Sequence, residues 1–557
     1  MLFYLRSGCV VNNIESSVIA DFRQTLLWPV QLISESNSQK IQRPWDILKA
    51  ENCPWQEIQD EFSLAKQSLS EVRYQEFVTF MPFAQRFLYG EGKHGRESGG
   101  YGESPIHIFS RSDVNQVRIT LNNHEAPIVL KVAHIELYFF YDIDVAFLAL
   151  EVTGENIQLN HAMEILYRLG RTYPNYWEEN GDAGHCAKSI EWLDKQGHVL
   201  ACSDYQDKTR YLSFVKDNHV PCVSLHWEFL MHPLVQHYSS QEGEIRYREI
   251  EYQRMPLMAY LAFEDVSKLT RGDLIRLGLV TQPWDSETLP FTEEFLSNFE
   301  HKHCYDRYWD NNKSDPWSTT RIMCTGQNFI VVGSKQHRVY TNERTGIKRN
   351  YQSQYFLLFL IAHFQKAALL MLSDRMVQAI SRLNIEDETS IKTFRQSIRN
   401  VMGVFLRFTH RYWFESVSDQ AVAKDIFAMM HQQLNTLDLF KKTRSRIMDM
   451  AEYLEGEEIK RQADTVVRLT VVTILGLIGT MTSGLLGMNI FDFSQTTSIE
   501  KFAYFVGIFV PVSILTFYTV VKSRRLSLFL DALSNENTGL LYKVAKLKSV
   551  WFGKVDN

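Results

Sequence analysis

From Leu469 up to Asp492 the chain runs 23 residues without a Lys, Arg, Asp or Glu, and from Phe502 to Val521 it runs another 20. At 1.5 Å of rise per residue, each run as a helix matches the ~30 Å hydrocarbon core of a bilayer. Buried helices of globular domains rarely go so far without a charge, so both runs read as transmembrane. The first four fifths of the chain differ, mixing charges freely within an overall balance of −6 over 557 residues. One apolar stretch there, Tyr355 to Leu372, is interrupted by His363, Gln365 and Lys366. It reads as a buried helix of a soluble part.

The flanks give an orientation. Lys460, Arg461 and Arg468 precede the first span, Lys522, Arg524 and Arg525 follow the second, and the loop between carries only Lys501. Basic residues stay on the cytoplasmic side, so both termini are expected there, in an inner or plasma membrane. The stretch "MLFYLRSGCVVNN" lacks the basic and apolar segments of a secretory signal. Seven scattered cysteines without a Cys-x-x-Cys pair predict reduced thiols. The acidic balance gives no reason to expect nucleic-acid binding.

Between Val114 and Gly154, "QVRITL", "PIVLKV", "HIELYFF" and "VAFLALEV" are rich in β-branched and aromatic residues and are separated by "NNHEA" and "YDID". These predict sheet strands joined by turns. The apolar spacing over Asn156–Gly170 predicts a helix packed on that sheet. "TRYLSFV" and "NFIVVGS" read as further strands. Beyond about Asn350 the pattern turns helical, with apolar residues three, four or seven apart between Asp419 and Asp464. This predicts one helix from about Ser418 to Gly487, or two helices broken near Gly456. The expected layout is an α/β cytoplasmic domain over 1–350, a helical stalk over 351–467, and a two-helix membrane domain over 468–522 with its outer loop at 489–501. A basic cytoplasmic tail, 523–557, follows.

Two soluble motifs are weak. Tyr89–Ser104 has six glycines in sixteen residues, including Gly-x-Gly-x-x-Gly at Gly90, Gly92 and Gly95. No strand-to-helix transition brackets it, which favours a surface loop over a phosphate site. "HKHC", His301 to Cys304, has no second Cys/His pair at zinc spacing. No recognisable nucleophile and base stand together, so no enzyme activity and no organic cofactor are expected.

The first span says more. Thr473, Thr480, Gly484 and Gly487 are seven, four and three residues apart, with Leu477 between the first two. Such a stripe suits either close helix packing through small residues or a pore lining. Gly487-Met488-Asn489 at its outer end favours the pore. Mg²⁺ sheds water reluctantly, and a ring of asparagine carbonyls can hold the hydrated ion without a charge that would trap it.

A long stalk, a first span ending in Gly-Met-Asn, a short outer loop and a second span before a basic end together resemble the CorA metal ion transporter family. "RYWFESVSDQ", Arg411 to Gln420, is similar to the family's turn between its last two cytoplasmic helices. The resemblance implies a homopentamer in a lipid bilayer, with a cytoplasmic funnel and a pore lined by the first span. It makes Gly487, Met488 and Asn489 the selectivity filter, Asn489 acting on the hydrated metal. It gives Leu469, Thr473, Leu477, Thr480 and Gly484 the pore wall, Leu469 and Leu477 as apolar constrictions. Mg²⁺ is the implied cargo, and a regulator where carboxylates meet between subunits. Asp449, Glu452 and Glu455 are candidates for that role, although a solvated helix face is the better explanation of them. In the outer loop, Asp492 and Glu500 would attract cations. The family usually has an aromatic before Gly-Met-Asn where this chain has Leu486, and an inner-pore asparagine of some members falls at Ala463.

Two other readings stay open. The same fold could carry Zn²⁺, Co²⁺ or Ni²⁺. Alternatively, the enlarged N-terminal region could bind a nucleotide-like messenger and gate the pore as a membrane signalling effector.

Overall fold

A computed structural model describes residues 17–34, 43–50, 53–58, 70–91, 105–122, 125–251, 254–284, 289–310, 318–384 and 387–487, with scattered positions between 497 and 518. The chain divides into two compact units, Met1–Ile447 and Met448–Asn557.

The first unit is built on a mixed sheet. Its middle strand, Val18–Ser34, pairs antiparallel along one edge with Ile143–Gln158, from Val18 opposite Gln158 to Gln31 opposite Val145. Along the other edge it changes partner. Leu257–Phe263 pairs with it up to Leu26, and Ile245–Glu249 takes over from Val30. Pro29 lies in the gap between those partners, where its missing N–H leaves no ladder bond unmade, while its carbonyl still accepts from Ile250 N. This strand is absent from the sequence reading because Asp21, Arg23, Gln24 and Pro29 interrupt its apolar run. The charges are paired in the fold, Arg23 to Glu151 and Lys348 to Asp21.

Predicted strands "PIVLKV" and "HIELYFF" form one continuous strand, Ile128–Phe140, which turns through Tyr141 and Asp142 into Ile143–Gln158. Asp142 adopts φ 65°, a left-handed conformation that Asp tolerates. "NFIVVGS" is a strand, Asn328–Ser334, parallel to Leu257–Phe263. "TRYLSFV" is not. It lies in the helix Lys208–Asn218, capped by the Asp207 side chain on Arg210 N. Tyr211, Phe214 and Val215 are three and four apart, and only Tyr211 is buried, so one helix face had the look of a short strand. The helix expected from Asn156 begins at Leu159, since the first residues complete the preceding strand.

The apolar stretch at Tyr355–Leu372 begins at the last residue of a π-helical turn and continues in the helix Phe356–Ser381; the helical run Ile347–Ser381 is long and apolar enough to cross a membrane but mostly buried inside the first unit. It packs on Val18–Ser34 and Ile143–Gln158 and is covered by the helices Glu388–Arg411 and Ala421–Leu434. Each fully buried Leu or Phe contributes roughly 1.5–3 kcal/mol. Two of its three polar interruptions find partners on neighbouring segments. Gln365 Nε2 donates to the carbonyls of Tyr412 (3.0 Å) and Phe414 (3.2 Å), and Lys366 Nζ pairs with Glu251 Oε1 at 2.5 Å.

The helix predicted from about Ser418 breaks, but not at Gly456. Ala421–Leu434 ends at Asn435, in the left-handed conformation with φ 53°, and Thr436–Gly487 then runs unbroken through Gly456. Asn is the residue after glycine that best tolerates that turn, whereas one glycine inside a helix costs only ~1 kcal/mol. Six cysteines among the described residues are free thiols.

Candidate functional site

Helix Thr436–Gly487 positions most of the residues assigned to the pore wall. At 100° per residue, Leu469, Thr473, Leu477, Thr480, Gly484 and Gly487 fall within an arc of about 80°. Thr473 and Thr480 are exposed, Leu469 is 66% exposed, and a Cβ built on Gly484 would meet nothing. The hydroxyls turn back on the helix. Thr473 Oγ1 donates to Leu469 O (2.9 Å) and Thr480 Oγ1 to Gly476 O (2.7 Å). Thr470 and Ser483 make the same bond to Val466 and Gly479. Every hydrogen is thereby spent inside the helix, while the oxygen lone pairs remain available outside it. Met488, Asn489, Asp492 and Glu500 lie outside the described residues, as do the side chains of Leu477 and Leu486.

Asp449, Glu452 and Glu455 are exposed on the same helix, below its apolar part. Among the described residues no group of three His, Cys, Asp or Glu side chains could hold a metal ion within one chain. At "HKHC", His303 Nδ1 stands 3.0 Å from Cys324 O, and Cys304 is buried in a strand paired with Met323. Burial pushes that thiol up to about 12. Of the glycine-rich segment only Tyr89, Gly90 and Glu91 are described, and Gly90 closes the helix Pro82–Tyr89 with φ 73°.

One cluster brings Ser, His and Asp together. Ser224 Oγ donates to Asp204 Oδ1 (2.6 Å) and stands 2.9 Å from His226 Nδ1. A nucleophilic triad places the histidine in the middle, whereas here the serine is. Ser224 and His226 are fully buried, and burial drops the imidazole to about 3. Asp204 also accepts from Leu225 N and Tyr211 OH, so the group anchors the start of the short helix Leu225–Met231.

The first unit holds a cavity of about 220 Å³ between the sheet and the chain entering Phe356–Ser381. Its floor is a row across three strands, in which Thr25 stands opposite Glu151 and Glu151 opposite His134. Glu136 and Tyr138 continue that face at every second residue, while Ile135, Leu137 and Phe139 point into the core. Its roof includes Tyr351, Gln352 and Ser353, from a π-helical turn over Tyr351–Tyr355. Such turns are rare and concentrate at functional sites. Tyr351 OH stands 3.0 Å from Thr25 Oγ1, tying roof to floor. No sequence motif marks this cavity, though the polar–apolar alternation of "HIELYFF" is its signal.

No protein-family profile matches the chain, and none of the curated proteins matches it. Among solved structures, the full-length CmaX protein aligns at 12% identity over 48% of this chain and 89% of that one, with a TM-score of 0.17. The functional reading therefore rests on this chain's own residues.

Proposed function

We propose that the protein is a divalent metal ion channel of the inner or plasma membrane, passing Mg²⁺ passively as a homopentamer. In this reading two C-terminal helices cross the bilayer, and Asn489 from five copies selects the hydrated ion. The observation that carries it is the unbroken helix reaching Gly487 of Gly-Met-Asn. Its apolar side chains Val466, Leu469 and Val472 are exposed, and in its later part the hydroxyls of Thr470, Thr473, Thr480 and Ser483 are satisfied by its own backbone. A helix in hydrocarbon must satisfy its polar groups internally, and a pore wall needs outward oxygen lone pairs.

The pore would work by geometry and charge. Asp492 and Glu500 raise the local cation concentration, the Asn489 carbonyls accept hydrogen bonds from the ion's water shell, and the Thr473 and Thr480 oxygens offer further weak contacts. Leu477 and Leu469 narrow the path, and regulatory Mg²⁺ would bridge carboxylates such as Asp449, Glu452 and Glu455 between copies. Dye-reported uptake of Mg²⁺, Zn²⁺, Co²⁺ and Ni²⁺ into proteoliposomes tests this. Mg²⁺ uptake down its gradient is expected, and Zn²⁺ transport without Mg²⁺ would sink the proposal.

A messenger-gated effector is the second reading, favoured by the presence of a ligand-sized cavity in the large first unit. Its ligand would not be a nucleotide held there through phosphates. Glu76, Glu136 and Glu151 line that cavity against one arginine, Arg73.

A further inference from the structure

We infer that the cavity beneath the π-helical turn binds a small organic cation, with Glu136 as its anchoring carboxylate. Three carboxylates line it, and two are already neutralised. Glu151 meets Arg23 Nη1 at 3.0 Å and His134 Nδ1 at 3.4 Å. Glu76, almost fully buried, meets Arg73 Nη1 at 2.6 Å and Arg349 Nη2 at 3.8 Å, and accepts from Tyr89 OH at 2.8 Å. Glu136 has no cationic partner among the described residues. Among those residues it accepts a hydrogen bond only from Tyr138 OH, which orients the carboxylate without cancelling its charge.

The walls choose among cations. Tyr138 and Phe356 stand 6.0 Å apart with their planes inclined at 54°, and Tyr351 closes the roof. Tyr89 already carries a cation, the Arg73 guanidinium 5.6 Å from its ring centre. Ile106, Ile108, Leu357 and Leu360 complete an apolar side. Angled aromatic faces beside one free carboxylate suit an ammonium group with an apolar body, through cation–π attraction and an ion pair. A hydrated metal ion would gain nothing from the apolar wall. The volume sets the size, since a cavity of about 150 Å³ accommodates benzene. The occupant therefore has up to about ten heavy atoms.

The test uses the full chain in detergent, following thermal unfolding and calorimetric binding with tetramethylammonium, choline and phenethylamine. The neutral isostere of choline, 3,3-dimethyl-1-butanol, is the control. At least one cation should give a saturable rise in unfolding temperature, with no rise from the neutral isostere and no competition from Mg²⁺. Glu136→Gln should weaken binding at least tenfold and Tyr138→Phe a few-fold, while Glu343→Gln, outside the cavity, should leave it unchanged. A flat response to all three cations, an equal response to the isostere, displacement by Mg²⁺, or unaltered affinity in Glu136→Gln would each overturn the inference. The isostere comparison needs no variant, so poor folding of Glu136→Gln does not rescue it. Binding is read without ion flux, so this site and the channel stand or fall separately.

Discussion

Two apolar helices in this chain have similar compositions and opposite surroundings. Phe356–Ser381 lies inside the first unit, with Leu358, Phe364, Ala368 and Leu369 fully buried. The later part of Thr436–Gly487, in the second unit, presents Val466, Leu469 and Val472 uncovered. The difference lies in how their polar groups are satisfied. Gln365 and Lys366 reach partners on other segments, whereas Thr470, Thr473, Thr480 and Ser483 bond to carbonyls of their own helix. A helix that needs neighbours for its polar side chains belongs in a protein core. One that needs none can face lipid or another copy of itself.

A buried charge tests this contrast most severely. Ala368→Arg should prevent the first unit from folding, because an unpaired guanidinium in a packed core costs more than the whole stability of a domain. Val472→Arg should leave that unit's unfolding untouched and instead impair membrane insertion, by about 2.5–3.5 kcal/mol on an insertion scale. Equal effects of the two on soluble-unit unfolding would break the comparison. Truncation ranks next. Phe364→Ala should cost ~3–5 kcal/mol in denaturant unfolding, and Val472→Ala less than about 0.5 kcal/mol. Replacing Gln365 by Leu leaves the Tyr412 and Phe414 carbonyls without their donor and should cost ~1–3 kcal/mol. Thr473→Val, which removes only a bond within its own helix, should leave stability unchanged while altering ion flux.

The last prediction concerns the first unit's response to pH. Glu249 is buried, and neither carboxylate oxygen has a well-formed hydrogen bond. Burial raises its pKa to about 8, partly offset by the nearby Thr172 hydroxyl. The folded state therefore holds a proton that the unfolded chain releases near its ordinary carboxylate pKa. Stability from this group is complete below that ordinary value, declines as pH rises, and is fully lost above about 8. Glu249→Gln should flatten that decline in thermal unfolding measured from pH 5 to pH 9, and an unchanged slope would count against the burial.

Regular elements were legible where local pattern and tertiary demand agree. The hairpin of Ile128–Phe140 and Ile143–Gln158 announces itself through β-branched runs and a "YDID" turn, and the buried helix through its polar interruptions. The middle strand was hidden because its charges are tolerable only once Glu151 and Lys348 arrive from distant segments. The break at Asn435 turns on a single left-handed residue, which apolar periodicity does not register. For the cavity, the alternation in "HIELYFF" shows a polar face, but a polar strand face ordinarily points at water. Only the roof from Tyr351–Tyr355 makes it a site. The filter stands differently. Asn489, Asp492 and Glu500 lie outside the described residues, so sequence alone supports them, joined to the helix that ends at Gly487.

Mg²⁺ flux through purified protein in liposomes, compared between the native chain and Asn489→Ala under one imposed gradient, tests the central claim most directly. The native chain should load Mg²⁺ passively, and Asn489→Ala, assembled to the same oligomer, should fall to the rate of empty liposomes or lose its preference for Mg²⁺. Undiminished, equally selective flux in Asn489→Ala, or no flux in the native chain, would contradict a pore whose selectivity resides in that asparagine ring.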